Sequence, residues 1–144
     1  MSLPLYADTS ALVPYYVPEE FSDLIQSILQ AQPGPTISDV VELEFYSALS
    51  IKLRTGERNH SAMVQITALF HRHIEAGLFK RIALHAGHYR VAREFIGRFD
   101  LPLKAPDSLH LAICATEGLR LLTLDEQLAR NATALGIEVE SIQR

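Results

Sequence analysis

Two short, mostly apolar runs, LPLYA at residues 3–7 and LRLLT at 119–123, each give way within two residues to an aspartate and then to a helix-starting sequence. Runs this short read as buried strands rather than core helices. A strand that turns at once into a helix is half of a βαβ unit, and such units build parallel sheets. The same rhythm fills the space between the two runs. Thr9 and Ser10 cap a short helix through Tyr15, and Pro18-Glu19-Glu20 opens a second that QPGP at 32–35 ends. A strand at 35–37 leads into a helix capped by Ser38 or Asp39 and running to Arg54, and another helix follows at 60–76. FKRIAL at 79–84 alternates as a strand does, and 85–99 is helical. Pro106-Asp107 opens an apolar helix that Gly118 closes, DEQLARNATALG follows LRLLT as a helix, and IEVESI reads as a last strand. The pattern predicts one α/β domain over residues 1–144, with a mostly parallel central sheet covered by helices on both faces.

Composition narrows the function classes. Net charge is −4 with pI about 5.8, which argues against broad charge-driven nucleic-acid binding. An acidic site that holds metal ions reverses its local sign, so a nucleic-acid enzyme stays open. No apolar stretch is long enough for a membrane span, and Pro4 and Asp8 interrupt the first apolar run, so neither a membrane span nor a signal peptide is expected. A single cysteine, Cys114, excludes an internal disulfide and reads as a small buried thiol. A cytoplasmic location is the expectation.

In open parallel sheets, ligands bind beyond the carboxyl ends of the strands. Asp8 and Asp125 stand at such ends, and Asp107 opens a helix whose first turn favours negative charge. Helix capping explains each of the three taken singly. Glu44 is harder to explain. It shares a helix sector with Val40, Val41, Ala48 and Ile51, whereas Glu42 points the other way, near Leu49 and Leu53. A carboxylate among apolar neighbours needs a basic partner, such as an arginine across the core, or a metal. Grouped carboxylates select hard cations such as Mg²⁺ or Mn²⁺. Zinc spacing is absent, since there is one cysteine and no histidine pair at i, i+4. His71 and His73 read as surface residues, and His110 as a core or supporting residue one turn after Asp107.

Four segments in order resemble the PIN-domain ribonucleases, and most closely the VapC-type toxins of bacterial toxin–antitoxin pairs. They are YADTSALV, ISDVVELEFYSAL, LKAPDSLHLAICA and LLTLDEQLARNATALGI, whose acids Asp8, Glu44, Asp107 and Asp125 are separated by 36, 63 and 18 residues. The resemblance implies a three-layer α/β/α sandwich and convergence of these four acids on Mg²⁺ or Mn²⁺. It also implies RNA cleavage by a metal-activated water, a homodimer and a small antitoxin partner. Asp8 and Glu44 are the expected direct ligands, with Asp107 and Asp125 completing the site. Thr9, Ser10 and Thr123 carry hydroxyls suited to orienting carboxylates or water. Lys52, Arg54 and Arg58, or Arg90, Arg93 and Arg98, are candidates for gripping RNA. Leu12, Val13, Tyr15, Tyr16 and Phe21 are candidates for a dimer or antitoxin surface. The competing readings are a PIN-like nuclease of RNA processing without a toxin role, and a catalytically silent RNA-binding or scaffold module. Other phosphoryl-transfer folds fit less well: a phosphatase of this kind wants a second aspartate where Ser10 stands, and a receiver domain wants a lysine that LRLLTLD lacks.

Overall fold

The computed structural model describes residues 2–142. Its core is a four-stranded parallel sheet in the order β3-β2-β1-β4, formed by β1 (Leu5–Ala7), β2 (Thr36–Ser38), β3 (Lys80–Ile82) and β4 (Arg120–Leu122). Among the described residues seven helices flank it: α1 (Thr9–Tyr16), α2 (Ser22–Gln30), α3 (Asp39–Arg54), α4 (His60–Glu75), α5 (Ala86–Ile96), α6 (Ala105–Glu117) and α7 (Glu126–Ala134). The result is the α/β/α sandwich that the strand-helix rhythm predicts.

The three residues of β1 are buried, as are those of β2 and β4, which is the burial expected of strands covered on both faces. Tyr6 pairs with Leu121 on one side and Thr36 on the other. The chain steps from β1 to β2 to β3 in one direction, whereas β4 lies across β1. Between β1 and β4 the strand order therefore reverses, which is where such sheets open a crevice. β3 lies at an edge and exposes Lys80 and Arg81, charges that discourage edge-to-edge pairing.

Several boundaries differ from the sequence reading. The N-cap of α1 is Asp8 rather than Thr9 or Ser10, and its carboxylate accepts from the Ala11 amide. Pro18-Glu19-Glu20 precedes α2 without starting it. There the Ser22 hydroxyl accepts from the Glu19 amide and donates to the Val17 carbonyl, which ties residues 17–22 into a turn. Helix α5 ends at Ile96, and Phe99 takes a left-handed backbone (φ 57°) with 88% of its surface exposed. IEVESI contributes only one parallel bridge, Val139 to Leu121. Arg120 anchors that segment: it is buried, its guanidinium lies 3.8 Å from Glu138 and 3.6 Å from Glu140, and it donates to Gln32.

Helix α3 buries the stripe Val41, Phe45 and Leu49, spaced i, i+4, i+8. Phe45 packs against Phe70 of α4 at 4.7 Å between ring centroids, and Tyr16 stands edge-on to both. Leu12, Val13 and Tyr16 are therefore core and no docking surface, while Tyr15 and Phe21 are half-buried against that core. The exposed apolar side chains lie elsewhere, with Leu43, Tyr46 and Leu53 on α3 and Val64 on α4. His73 is not a free surface residue either, since its Nδ1 pairs with the Tyr16 hydroxyl at 2.6 Å. No helix among the described residues is long and apolar enough to cross a membrane. Phe45→Ala should destabilise the protein by about 3–5 kcal/mol, the usual cost of emptying a buried aromatic site. Urea unfolding would measure this, and a loss below about 1 kcal/mol would contradict the packing described.

A candidate acidic site at the strand ends

Asp8 follows β1 at the point where strand order reverses. Its amide still donates to the Leu122 carbonyl, so the residue is held on the sheet while its side chain turns into the crevice end. One carboxylate oxygen accepts from the Ser10 hydroxyl at 2.7 Å and from the Ala11 amide at 3.0 Å. The other accepts from Thr123, which immediately follows β4. Ser10 and Thr123 also touch each other at 3.1 Å, and Ser10 accepts from the Leu124 amide. These hydroxyls bind the end of β1 to the end of β4. Burial pushes the Asp8 carboxyl above the usual carboxylate range, against the opposing pull of His110, Thr123, Ser10 and the Ala11 amide.

Glu44 projects from α3 beside the buried stripe and keeps about a third of its side chain exposed. Its compensating partner is His110 of α6, not an arginine. The His110 Nε2 lies 2.6 Å from Glu44 Oε1, and Thr9 donates to the same oxygen at 2.8 Å. Burial raises the Glu44 carboxyl, but the hydrogen bond and charge of His110, with Thr9, outweigh it and hold the group below its ordinary value. Glu42 is engaged elsewhere, in a two-bond pair with Arg81 at 2.8 and 2.9 Å.

Asp107 lies in the first turn of α6, where its charge faces the helix dipole. Its carboxyl is raised first by burial and then by Asp125, with Glu44 adding to the repulsion. Asp125 caps α7 through the Leu128 amide. Asp107 thus senses both Asp125 and Glu44, while Asp8 senses His110, which itself holds Glu44. These pairwise couplings link the four acids, although no three of them bring their oxygens within 4.8 Å of one another. The donors are all hard carboxylate oxygens, and Asp8 and Asp107 are disfavoured as anions, Asp8 by burial and Asp107 by burial and by Asp125. That donor chemistry suits a divalent cation such as Mg²⁺ or Mn²⁺.

The basic candidates are placed unevenly. Lys52 is held between Glu19 and Glu57, each at 3.0 Å, so its charge is already met. Arg54 donates to Ser50, and Arg58 donates to the Pro18 carbonyl. Arg90 and Arg93 are exposed on α5, whereas Arg98 pairs with Asp100. A second polar cluster escaped the sequence reading: His85, His88 and Glu117, whose histidines stand at i, i+3. Here His85 Nδ1 accepts from the Gly87 amide and His88 Nδ1 from the His85 amide, which leaves the neutral rings protonated at Nε2. Glu117 accepts from His88 at 2.9 Å. A cation at Nε2 of either ring would move that proton to Nδ1, which could then no longer accept its cap bond, so the cluster reads as a helix cap.

The PIN-domain family model matches residues 5–134, and the chain belongs to that family. No curated protein sequence matches it. Among solved structures, it is similar to VapC20 of Mycobacterium tuberculosis, described as a sarcin-ricin loop cleaving toxin, at TM-score 0.70 and 18% identity over 95% of this chain and 99% of the other. It is similar to FitAcB from Neisseria gonorrhoeae at TM-score 0.69 and 15% identity over 95% and 96%. It also resembles VapBC2 from Rickettsia felis bound to a promoter DNA fragment, at TM-score 0.67 and 15% identity over 98% and 100%. At these identities the likeness establishes the fold.

A carboxyl raised by folding costs stability when ionised. The cost is full above the folded pKa and gone below the ordinary carboxylate value near 4. Asp8→Asn should therefore raise the melting temperature of the metal-free protein at pH 7–8, by about 2–4 °C for each kcal/mol recovered in a chain of this size. The gain should disappear below about pH 4. Calorimetry across that range in chelator would test it, and a gain persisting at pH 3 would assign the effect to packing instead of charge.

Proposed function

We propose that this protein is a divalent-metal-dependent endoribonuclease of the VapC type, the toxin of a toxin–antitoxin pair. Membership of the PIN-domain family supports nuclease chemistry. The observation that carries the reading is the buried Asp8 carboxylate at the strand-order reversal, coupled through His110 to Glu44, with Asp107 in turn coupled to Glu44 and Asp125. The structural neighbours include an RNA-cleaving toxin and toxin–antitoxin complexes, which points to RNA as substrate and a small antitoxin as partner. Homodimerisation and a cytoplasmic location belong to the same reading.

In this reading Asp8 and Glu44 bind the cation, and Asp107 and Asp125 complete its surroundings. When bound, Mg²⁺ or Mn²⁺ supplies Lewis-acid charge at the scissile phosphate and activates water. Ser10 and Thr123 hold the Asp8 carboxylate in one orientation, and Thr9 does the same for Glu44. Arg90 and Arg93 are the exposed basic groups assigned to RNA, whereas Lys52 is already paired. No nucleophilic side chain is required.

Purified Asp8→Asn should fold and lose Mg²⁺-dependent cleavage of total RNA, and undiminished cleavage would remove the proposed site. Thr123→Val should lower cleavage by about 10- to 100-fold, the usual effect of removing a group that orients a ligand. Expression of the wild-type protein should slow growth, and a small partner encoded beside it should restore growth. Harmless expression with no such partner would argue against the toxin role while leaving the nuclease intact.

A further inference from the structure

Glu44 is held by more than His110 alone. The other ring nitrogen of His110, Nδ1, lies 2.7 Å from the Tyr6 hydroxyl, and that hydroxyl lies 2.8 Å from the Ser38 hydroxyl. Ser38 in turn caps α3 and accepts from the Val41 amide. Six residues beyond Ser38 on the same helix stands Glu44. The hydrogen bonds therefore form a closed circuit through β2, β1 and α6 that leaves α3 at its cap and returns to it at the carboxylate. Tyr6, Ser38 and His110 are all buried.

One direction is fixed, because an ionised carboxylate only accepts and His110 therefore donates from Nε2. A neutral ring accepts at Nδ1 from the Tyr6 hydroxyl, which accepts from Ser38, whereas a charged ring donates from Nδ1 to Tyr6, which then donates to Ser38. Either state holds Glu44 Oε1. Burial keeps the Tyr6 phenol neutral and able to donate. His110 and Thr9 both use Glu44 Oε1, which leaves Oε2 for a ligand.

We propose that Ser38, Tyr6 and His110 are positioning residues that fix the Glu44 rotamer and present its second carboxylate oxygen to the divalent cation. The proposal rests on the four-acid reading of the site. Residues that orient a metal ligand commonly change metal affinity by about 10- to 100-fold when removed.

Mn²⁺ binding to the full-length protein, followed by electron paramagnetic resonance, tests the proposal without reference to activity. His110→Leu should weaken Mn²⁺ by about 10-fold or more and Tyr6→Phe by about 3- to 10-fold. His110→Gln, which can donate to Glu44 and accept from Tyr6, should recover most of the loss. A merely structural histidine would not give that recovery. Glu44→Gln separates the two layers of inference. If Glu44→Gln binds Mn²⁺ as the wild type does, the four-acid reading fails and this proposal fails with it. If Glu44→Gln loses Mn²⁺ while Tyr6→Phe and His110→Gln both keep wild-type affinity and His110→Leu also binds normally, the positioning role alone is overturned. Should His110→Leu not fold, Tyr6→Phe decides: unchanged affinity in that folded variant overturns the proposal.

Discussion

The site depends on β1 lying between β2 and β4 with all strands parallel. Parallel pairing brings the carboxyl ends of the three strands to one edge of the sheet, and burial on both faces leaves that edge as the place where polar groups collect. Asp8 is reached directly from β1, Thr123 from β4, and Ser38 from β2. None of these residues is near another in sequence. The hydroxyls of Ser10 and Thr123 then join two strand ends through a single carboxylate, so the geometry of the acid is set by the register of the sheet.

Electrostatics distributes the acids into different states. Glu44 is favoured as an anion because a histidine and a threonine donate to it, whereas Asp8 and Asp107 are disfavoured by burial. Such a set is unbalanced without positive charge. In the proposed function a divalent cation supplies that charge, with Asp8 buried, Glu44 and Asp107 half-buried and Asp125 exposed around it.

Much of this was legible in the sequence, and the exceptions have physical causes. β1 and β4 could be located because a short apolar run leads within two residues to a capping aspartate, β3 was located by its alternation, and the charge of Glu44 beside Val41 and Ala48 announced that it needed a partner. The identity of that partner was not legible. Tyr6 within LPLYA read as a core residue and His110 within LHLAICA as a core or supporting one, and periodicity says nothing about which two such residues meet across 104 positions. The start of α2 was misplaced because Pro-Glu-Glu is also compatible with a turn, and the Ser22 hydroxyl selects the turn. The supposed docking residues of α1 were misassigned because that helix is apolar nearly all round, and only packing reveals that most of its apolar side chains face inward.

The bond from Thr123 to Asp8 spans 115 positions and has a consequence for the timing of biosynthesis. Asp8 is made well before the threonine that orients it and the aspartate two residues further on. A partly synthesised chain therefore carries the first acid without its geometry. The hydrogen-bonded geometry of Asp8 is therefore set only when β4 joins the sheet.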